Sequence, residues 1–252
     1  NSTSRRFPKG LGNDHDILGT HVGFHNYRAS VSGQLNGMED EYYYGRNPTE
    51  PIIANYRNLH KQNTDYVGGF TTFTGAYRSR GNGSSLPEQI GGAYKDAMSE
   101  PDGWNVYMYM QGETIMKKEN HVRLSDTQKD QWGIPLLVTS IGYDDNDEKM
   151  IRDFLEQSAE MLVVAGCKNV KQQDNHQAPG LDIHEMGGCR MGADPNTSML
   201  NKSNQIHQCK NVFVTDGACM ASTGNQSPSL LYMALTARAA TFAVSELKKG
   251  NL

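Results

Sequence analysis

Trp104-Asn105-Val106-Tyr107-Met108-Tyr109-Met110 is the stretch that decides the fold. Val106, Met108 and Met110 fall on one side, and Asn105, Tyr107 and Tyr109 on the other. That is the period of a strand with one buried face. Upstream, Tyr66 to Tyr77 is rich in aromatic residues and Thr, with breaks at Gly68, Gly69 and Gly75, and predicts a strand that bends. Pro87 opens a helix-like stretch to Met98, which Pro101-Asp102-Gly103 ends. Residues 1–40 read as loop with short extended pieces. Downstream, His121 to Ser125 and Ile134 to Tyr143 predict two more strands. Asp144 to Glu148 then offers several N-caps and places negative charge where a helix dipole favours it. A helix follows from about Asp147 to Ala165, with Ile151, Phe154, Leu155, Ala159, Leu162 and Val163 at helical spacing and Gly166 as its stop. Elements grouped this way predict an α+β fold, an antiparallel sheet with helices on one face.

The tail carries a different unit. Asn211 to Thr215 is a short apolar strand running into Asp216-Gly217. Ser227-Pro228 then starts a long helix, with Ser227 as N-cap and Pro228 at the first helical position. Leu230, Leu231, Ala234, Leu235, Ala239 and Phe242 are expected on its buried side, and Lys248-Lys249-Gly250 finishes it.

Composition removes several function classes. The 252 residues carry a formal net charge of -4, so no basic field is present to hold a nucleic acid. Uninterrupted apolar runs such as Met161 to Gly166 are too short to span a bilayer, and no membrane segment is expected. The chain begins on Asn rather than Met and reads as a piece of a longer protein, so the compartment stays open, with a lean toward cytoplasmic. Four cysteines at 167, 189, 209 and 219 form no CxxC pair, which fits neither a disulfide scaffold nor a zinc ribbon. His184 with Cys189, and His207 with Cys209, match no known ligand spacing, and no metal site is expected.

Three stretches carry chemistry. The first is Phe7-Pro8-x-Gly10-Leu11-Gly12-Asn13, followed by Gly19 and His25. The second is His184-Glu185-Met186-Gly187-Gly188-Cys189-Arg190-Met191-Gly192-Ala193-Asp194-Pro195, with Ser198 after it. The third is Asn211-Val212-Phe213-Val214-x-Asp216-Gly217, then Ser227-Pro228-Ser229-Leu230 and Ala234-Leu235-x-Ala237-Arg238. In order and spacing they resemble the carboxy-terminal half of the glucose–methanol–choline (GMC) family of flavin oxidoreductases, most specifically from His184 onward. The run from Pro228 to Thr236 is most similar to bacterial sugar and sugar-acid dehydrogenases of that family.

The resemblance implies a GMC substrate-binding domain with the C-terminal strand–helix piece of an incomplete FAD-binding domain. Its expected boundaries are 1–30 leading from the FAD domain, 31–183 on the substrate side, and 184–252 for the histidine signature and FAD-domain piece. It implies FAD as cofactor, an alcohol, sugar or sugar acid as substrate, and oxidation of its CH–OH group when the protein is full length. The missing N-terminal FAD-binding portion is the implied partner, and the fragment alone is expected to be inactive. His184 would face the flavin and the substrate hydroxyl. Asp216 and Gly217 would approach the cofactor's ribityl and pyrophosphate, and Ser227, Pro228 and Ser229 would bring a helix start to the flavin ring. Proton removal during hydride transfer suits a group that titrates near neutrality, and His is the usual one.

Two departures stand out. The second catalytic position, before the Pro of the last helix, is Asn or His in the family and Ser227 here. A Ser hydroxyl donates and accepts hydrogen bonds but is no base at neutral pH, so Asn225 or a water is a candidate to replace the amide. The GxGxxG that cradles a pyrophosphate is also missing. Gly81 to Leu86 lacks its third Gly, precedes Pro87, and reads as a surface turn. These departures keep open a rival reading, a degenerate, non-catalytic binding or scaffold module of the same fold. Tyr107, Tyr109, Gln111 and Glu113 are the sheet positions that would set substrate choice, although a solvated or packed sheet face explains them as well.

Overall fold

The computed structural model describes residues 2–41, 50–80, 90–99, 101–181 and 183–252. The turn expected at Gly81 to Leu86 and the helix start expected at Pro87 lie outside these residues. In chain order the elements are β1 (His25–Asn26), β2 (Ala29–Leu35), β3 (Ile52–Ile53), β4 (Phe70–Arg80), α1 (Gly91–Ser99), β5 (Pro101–Glu113), β6 (His121–Lys129), β7 (Pro135–Ser140), α2 (Asp145–Val164), β8 (Lys168–Asp174), β9 (Gln205–Ile206), β10 (Cys209–Phe213) and α3 (Ser229–Lys248). They form two compact units, one from Asn1–Asn26, Glu113–Asp144 and Ala178–Leu252, the other from Tyr27–Gly112 and Asp145–Gln177. The units interleave along the chain.

The second unit is an antiparallel sheet, strand order β3-β4-β5-β2-β8, with α2 packed on one face. β5 keeps the expected alternation. Met108 and Met110 point into a core with Val31, Phe70, Met150, Ile151, Phe154 and Leu162. Phe154 meets Phe70 edge-on, with ring centroids 5.4 Å apart. α1 ends at Ser99, where the sequence places the end of a helix, and Pro101-Asp102-Gly103 already belongs to β5, drawn into the sheet by pairing of Pro101 with Arg80. Three strands of this sheet carry no clear sequence signal: β2, β8 and the two-residue β3. β2, ASVSGQL, alternates correctly, but its inward residues Ala29, Val31 and Gly33 are too small to stand out. β8, KNVKQQD, is polar because it lies at a sheet edge with most of its residues exposed. In α2 the residue expected inward at Val163 is exposed, and Met150 and Ser158 are buried instead. Buried Arg28 donates to Asp174 at 2.6 and 3.0 Å and to Glu148 at 2.6 Å, tying β2 to β8 and to the first turn of α2.

The first unit has a core of Met186, Cys189, Met199, Leu200, Ile206, Cys219, Met220 and Leu235. The four cysteines are free thiols. β6 and β7 form a hairpin, and β9 and β10 another short one. α3 starts at Ser229, one residue later than expected. Pro228 stands at the cap with helical torsions, φ -89° and ψ -5°, and no side chain closes the helix start. Ser227 is therefore exposed and not the N-cap. The expected buried side of α3 is also corrected: Leu235 and Ala239 are buried, but Leu230 is 76% and Leu231 46% exposed. Met233, Val244 and Leu247 are exposed too, so apolar side chains surround the helix. By length and composition α3 is apolar enough to cross a membrane, at a mean hydropathy of 1.2. Counting unbroken apolar runs overlooked it because Thr236, Arg238 and Thr241 interrupt the run. A helix enclosed by protein has the same composition.

Candidate active site

The His184 to Gly192 segment runs as a backbone thread with hydrogen-bonded neighbours on both sides, all within the first unit. On one side Gly23 and Met186 exchange both backbone bonds, each 2.8 Å, while Gly188 bonds Gly19 and Thr20 at 2.6 and 3.0 Å. On the other side Gly187, Cys189 and Met191 donate to the carbonyls of Gly217, Ala218 and Cys219 at 2.9–3.1 Å. A thread enclosed this closely leaves no room for side chains at its contacts. A Cβ on Gly187, whose φ is +84°, would come within 2.0 Å of the His21 carbonyl oxygen. One on Gly217 would come within 2.4 Å of the Glu185 carbonyl oxygen. Gly187 and Gly217 are thus explained by backbone-to-backbone packing, and Gly192 by the Ser198 side chain, 2.6 Å from where its Cβ would stand.

The antiparallel Gly23–Met186 bridge sets what lies beyond it. Two residues onward along one segment is His25, and two residues back along the other is His184, so the pair is cross-strand by register. Their Nδ1 atoms are 2.8 Å apart, and the rings meet edge-on with centroids 4.8 Å apart. His184 is half-buried, and burial holds its pKa below the usual 6.5, with Glu185 opposing. His25 is only 1% exposed. Burial first, and then the nearby His184, push its pKa down to about 4, with the backbone at Thr223 and Gly224 acting the other way.

The loop carrying those two residues is locked from below. Thr223 Oγ1 accepts from the Thr114 backbone N–H at 3.2 Å and donates to its carbonyl at 3.0 Å. Thr114 Oγ1 in turn accepts from Phe24 N–H at 3.0 Å and donates to Phe24 carbonyl at 2.6 Å. Asn225, buried in the same loop, accepts from the Gln226 side chain. Asp216 is exposed and caps the short 3-10 turn Gly217–Cys219 by accepting from Ala218 N–H at 3.0 Å. The fold therefore brings the His184 segment against Gly217 and, through His25, against the loop before Asn225. Ser227 and Ser229 are exposed, and Pro228 is buried. His25 was noted in the sequence only as a spacing marker, and Thr114 and Thr223 went unnoticed. Pairing of His25 with His184 follows from register, which no local pattern encodes.

In the second unit Tyr107 and Tyr109 stack at 6.3 Å, and Tyr109 stacks on Phe73 at 5.2 Å. Their hydroxyls donate to the two oxygens of Glu50 at 2.7 and 2.6 Å. Gln111 is buried and accepts from the Tyr27 hydroxyl, and Glu113 is half-buried at the end of β5. Tyr107, Tyr109 and Gln111 form an aromatic and polar sheet face opposite the core, while Glu113 belongs to the first unit.

A family model described as GMC oxidoreductase matches residues 117–236, which include the His184 thread and the first turns of α3. This chain resembles the carboxy-terminal half of the GMC oxidoreductases. It is 26% identical to 2-methyl-1,2-propanediol dehydrogenase of Mycolicibacterium austroafricanum, over 96% of this chain and 44% of that protein. It is 25% identical to paromamine 6'-oxidase of Streptomyces fradiae, over 98% and 42%. The large subunit of fructose dehydrogenase from Gluconobacter japonicus is 24% identical over 97% and 44%. The chain spans less than half the length of these curated relatives. GMC-type dehydrogenases and oxidases are thus what it is similar to along nearly its whole extent.

Proposed function

We propose that this chain is the substrate-side half of an FAD-dependent oxidoreductase that oxidises a CH–OH group of a small alcohol, sugar or sugar acid. The observation that carries the reading is His184, half-exposed at the edge of a rigid glycine thread and held below its usual pKa. A histidine that is neutral near pH 7 can accept the hydroxyl proton. FAD, when bound, supplies the hydride acceptor. The relatives' names span a diol, an aminosugar and fructose, which supports a polyhydroxylated substrate class.

The residues present fit one side of such a cofactor. α3 begins without a side-chain cap, so its first N–H groups are left for an acceptor, and exposed Ser227 and Ser229 lie beside them. Gly217 lets the chain pack against the Glu185 backbone, and Asp216 beside it presents an exposed carboxylate suited to sugar hydroxyls. Asn225 or Ser227 would orient the substrate oxygen. The expected division, with 184–252 completing a FAD-binding domain and 31–183 facing the substrate, belongs to the same proposal. So does an N-terminal portion that supplies the pyrophosphate loop and covers the exposed side of α3.

Full-length protein is expected to be yellow and to be bleached by its alcohol substrate under anaerobic conditions. His184→Ala should leave flavin content unchanged while slowing that bleaching about a hundredfold. A colourless full-length protein, or a bleaching rate within about twofold of wild type, would overturn the assignment.

A further inference from the structure

The outward face of the sheet unit carries a groove that the proposed chemistry does not use. Its volume is about 520 Å³, and its lining includes Ser32 and Gln34 of β2, Asn105 and Tyr107 of β5, Tyr77 of β4 and Lys171 of β8. That size falls among small-molecule sites, which run from about 300 to about 1,000 Å³. Register puts these side chains on one face: Ser32 pairs with Tyr107 and Lys171, and Asn105 pairs with Gln34 and Tyr77. The aromatic wall is fixed in place. Tyr107 leans across β4 at Gly75, where a Cβ would stand 2.6 Å from its hydroxyl oxygen. That hydroxyl donates to Glu50 at 2.7 Å, and the Tyr77 ring meets Tyr107 at 6.1 Å with the planes 50° apart. The amides are set as well. Asn169, also in the lining, donates its Nδ2 to Gln34 Oε1 at 2.7 Å. The pair then turns the Gln34 N–H groups outward as donors and the Asn169 carbonyl as an acceptor.

The lining selects among ligand classes. Among the described residues Lys171 is its single charged side chain, and the Glu50 carboxylate on the Tyr107 hydroxyl offsets that charge. A polyphosphate or a polycation finds no matching field there. A wholly apolar ligand would strip water from the amides and hydroxyls and return no hydrogen bonds. A ring with C–H faces and a rim of hydroxyls satisfies both parts: its faces meet the Tyr77 and Tyr107 rings, and its rim meets Ser32, Gln34 and Asn105. We propose that this groove is a binding site for a neutral pyranose ring. It lies wholly within the second unit and does not depend on His184 being the base. The ring belongs either to the non-reacting end of a glycoside substrate or to a separate sugar, and the experiment distinguishes the two.

The test is saturation-transfer-difference NMR of the full-length protein, with the methyl α- and β-pyranosides of glucose, galactose and mannose as probes. The expected result is transfer to the ring C–H protons of one or more of these glycosides. Tyr77→Ala removes one aromatic wall and Gln34→Ala the donor amide, and each should abolish the transfer. Both side chains are exposed, so both variants are expected to fold. Tyr77→Phe keeps the ring and should retain the signal. No transfer to any of the glycosides, or transfer that persists in Tyr77→Ala or in Gln34→Ala, would overturn the proposal, since a sugar held only beside His184 is indifferent to both changes. Adding the alcohol that bleaches the flavin separates the two sources. Displacement of the bound glycoside assigns the groove to the far end of the substrate, and undiminished transfer assigns it to a separate sugar. The transfer experiment needs no turnover, so a failed assignment of the flavin chemistry leaves its outcome readable.

Discussion

His184 adopts φ +70°, a left-handed backbone that costs a non-glycine residue about 1 kcal/mol. Its neighbour His25 sits in the opposite kind of place, fully buried and extended. The two therefore respond differently to pH. His184 is held below its usual value by burial, so flavin reduction in the full-length protein should be flat at and above neutral pH. It should decline as pH falls through a value below 6.5, which a pH profile of the reductive rate checks. His25 acts on stability. Its pKa is about 4 folded and near 6.5 unfolded, so the unfolded chain takes up a proton first as pH drops. Stability is expected to be full above pH 6.5 and to fall between 6.5 and 4, by an amount on the order of 3 kcal/mol. Denaturant melts of the wild type and His25→Gln across that window measure it: the variant should lose most of the slope.

Helix ends and strand edges hold the next set of expectations. Since no side chain caps α3, Ser227→Ala should change thermal stability by less than about 0.5 kcal/mol, where loss of a true N-cap costs about 1. A drop in flavin reduction without a drop in stability would then mark the hydroxyl as part of the site. The apolar residues around α3 make a second case. If an N-terminal portion covers Leu230 and Met233, Met233→Glu should destabilise the full-length protein by about 2 kcal/mol or more. A melt unchanged from wild type would place that side of the helix in water. In the sheet unit, Phe154 is fully buried against Phe70, and Phe154→Ala should cost about 3–5 kcal/mol in denaturant unfolding.

At the scale of the whole molecule, the sequence by itself determined the antiparallel sheet with its covering helix and the ordered motifs of the GMC resemblance. It did so because those features are local. Alternation along β5, helical spacing along α2 and the glycines around His184 each read out within a few residues. Strands β2 and β8 were not legible, since small inward residues and a polar sheet edge leave no amphipathic trace. Nor were the exposed Leu230 and Leu231, because a helix apolar all round does not say which side this chain covers. Only the tertiary structure set His25 against His184, 159 positions apart, and locked the Thr223 loop onto Thr114, 109 positions apart. Those contacts depend on register across a backbone bridge, and register is a property of two segments brought together, which neither segment carries alone.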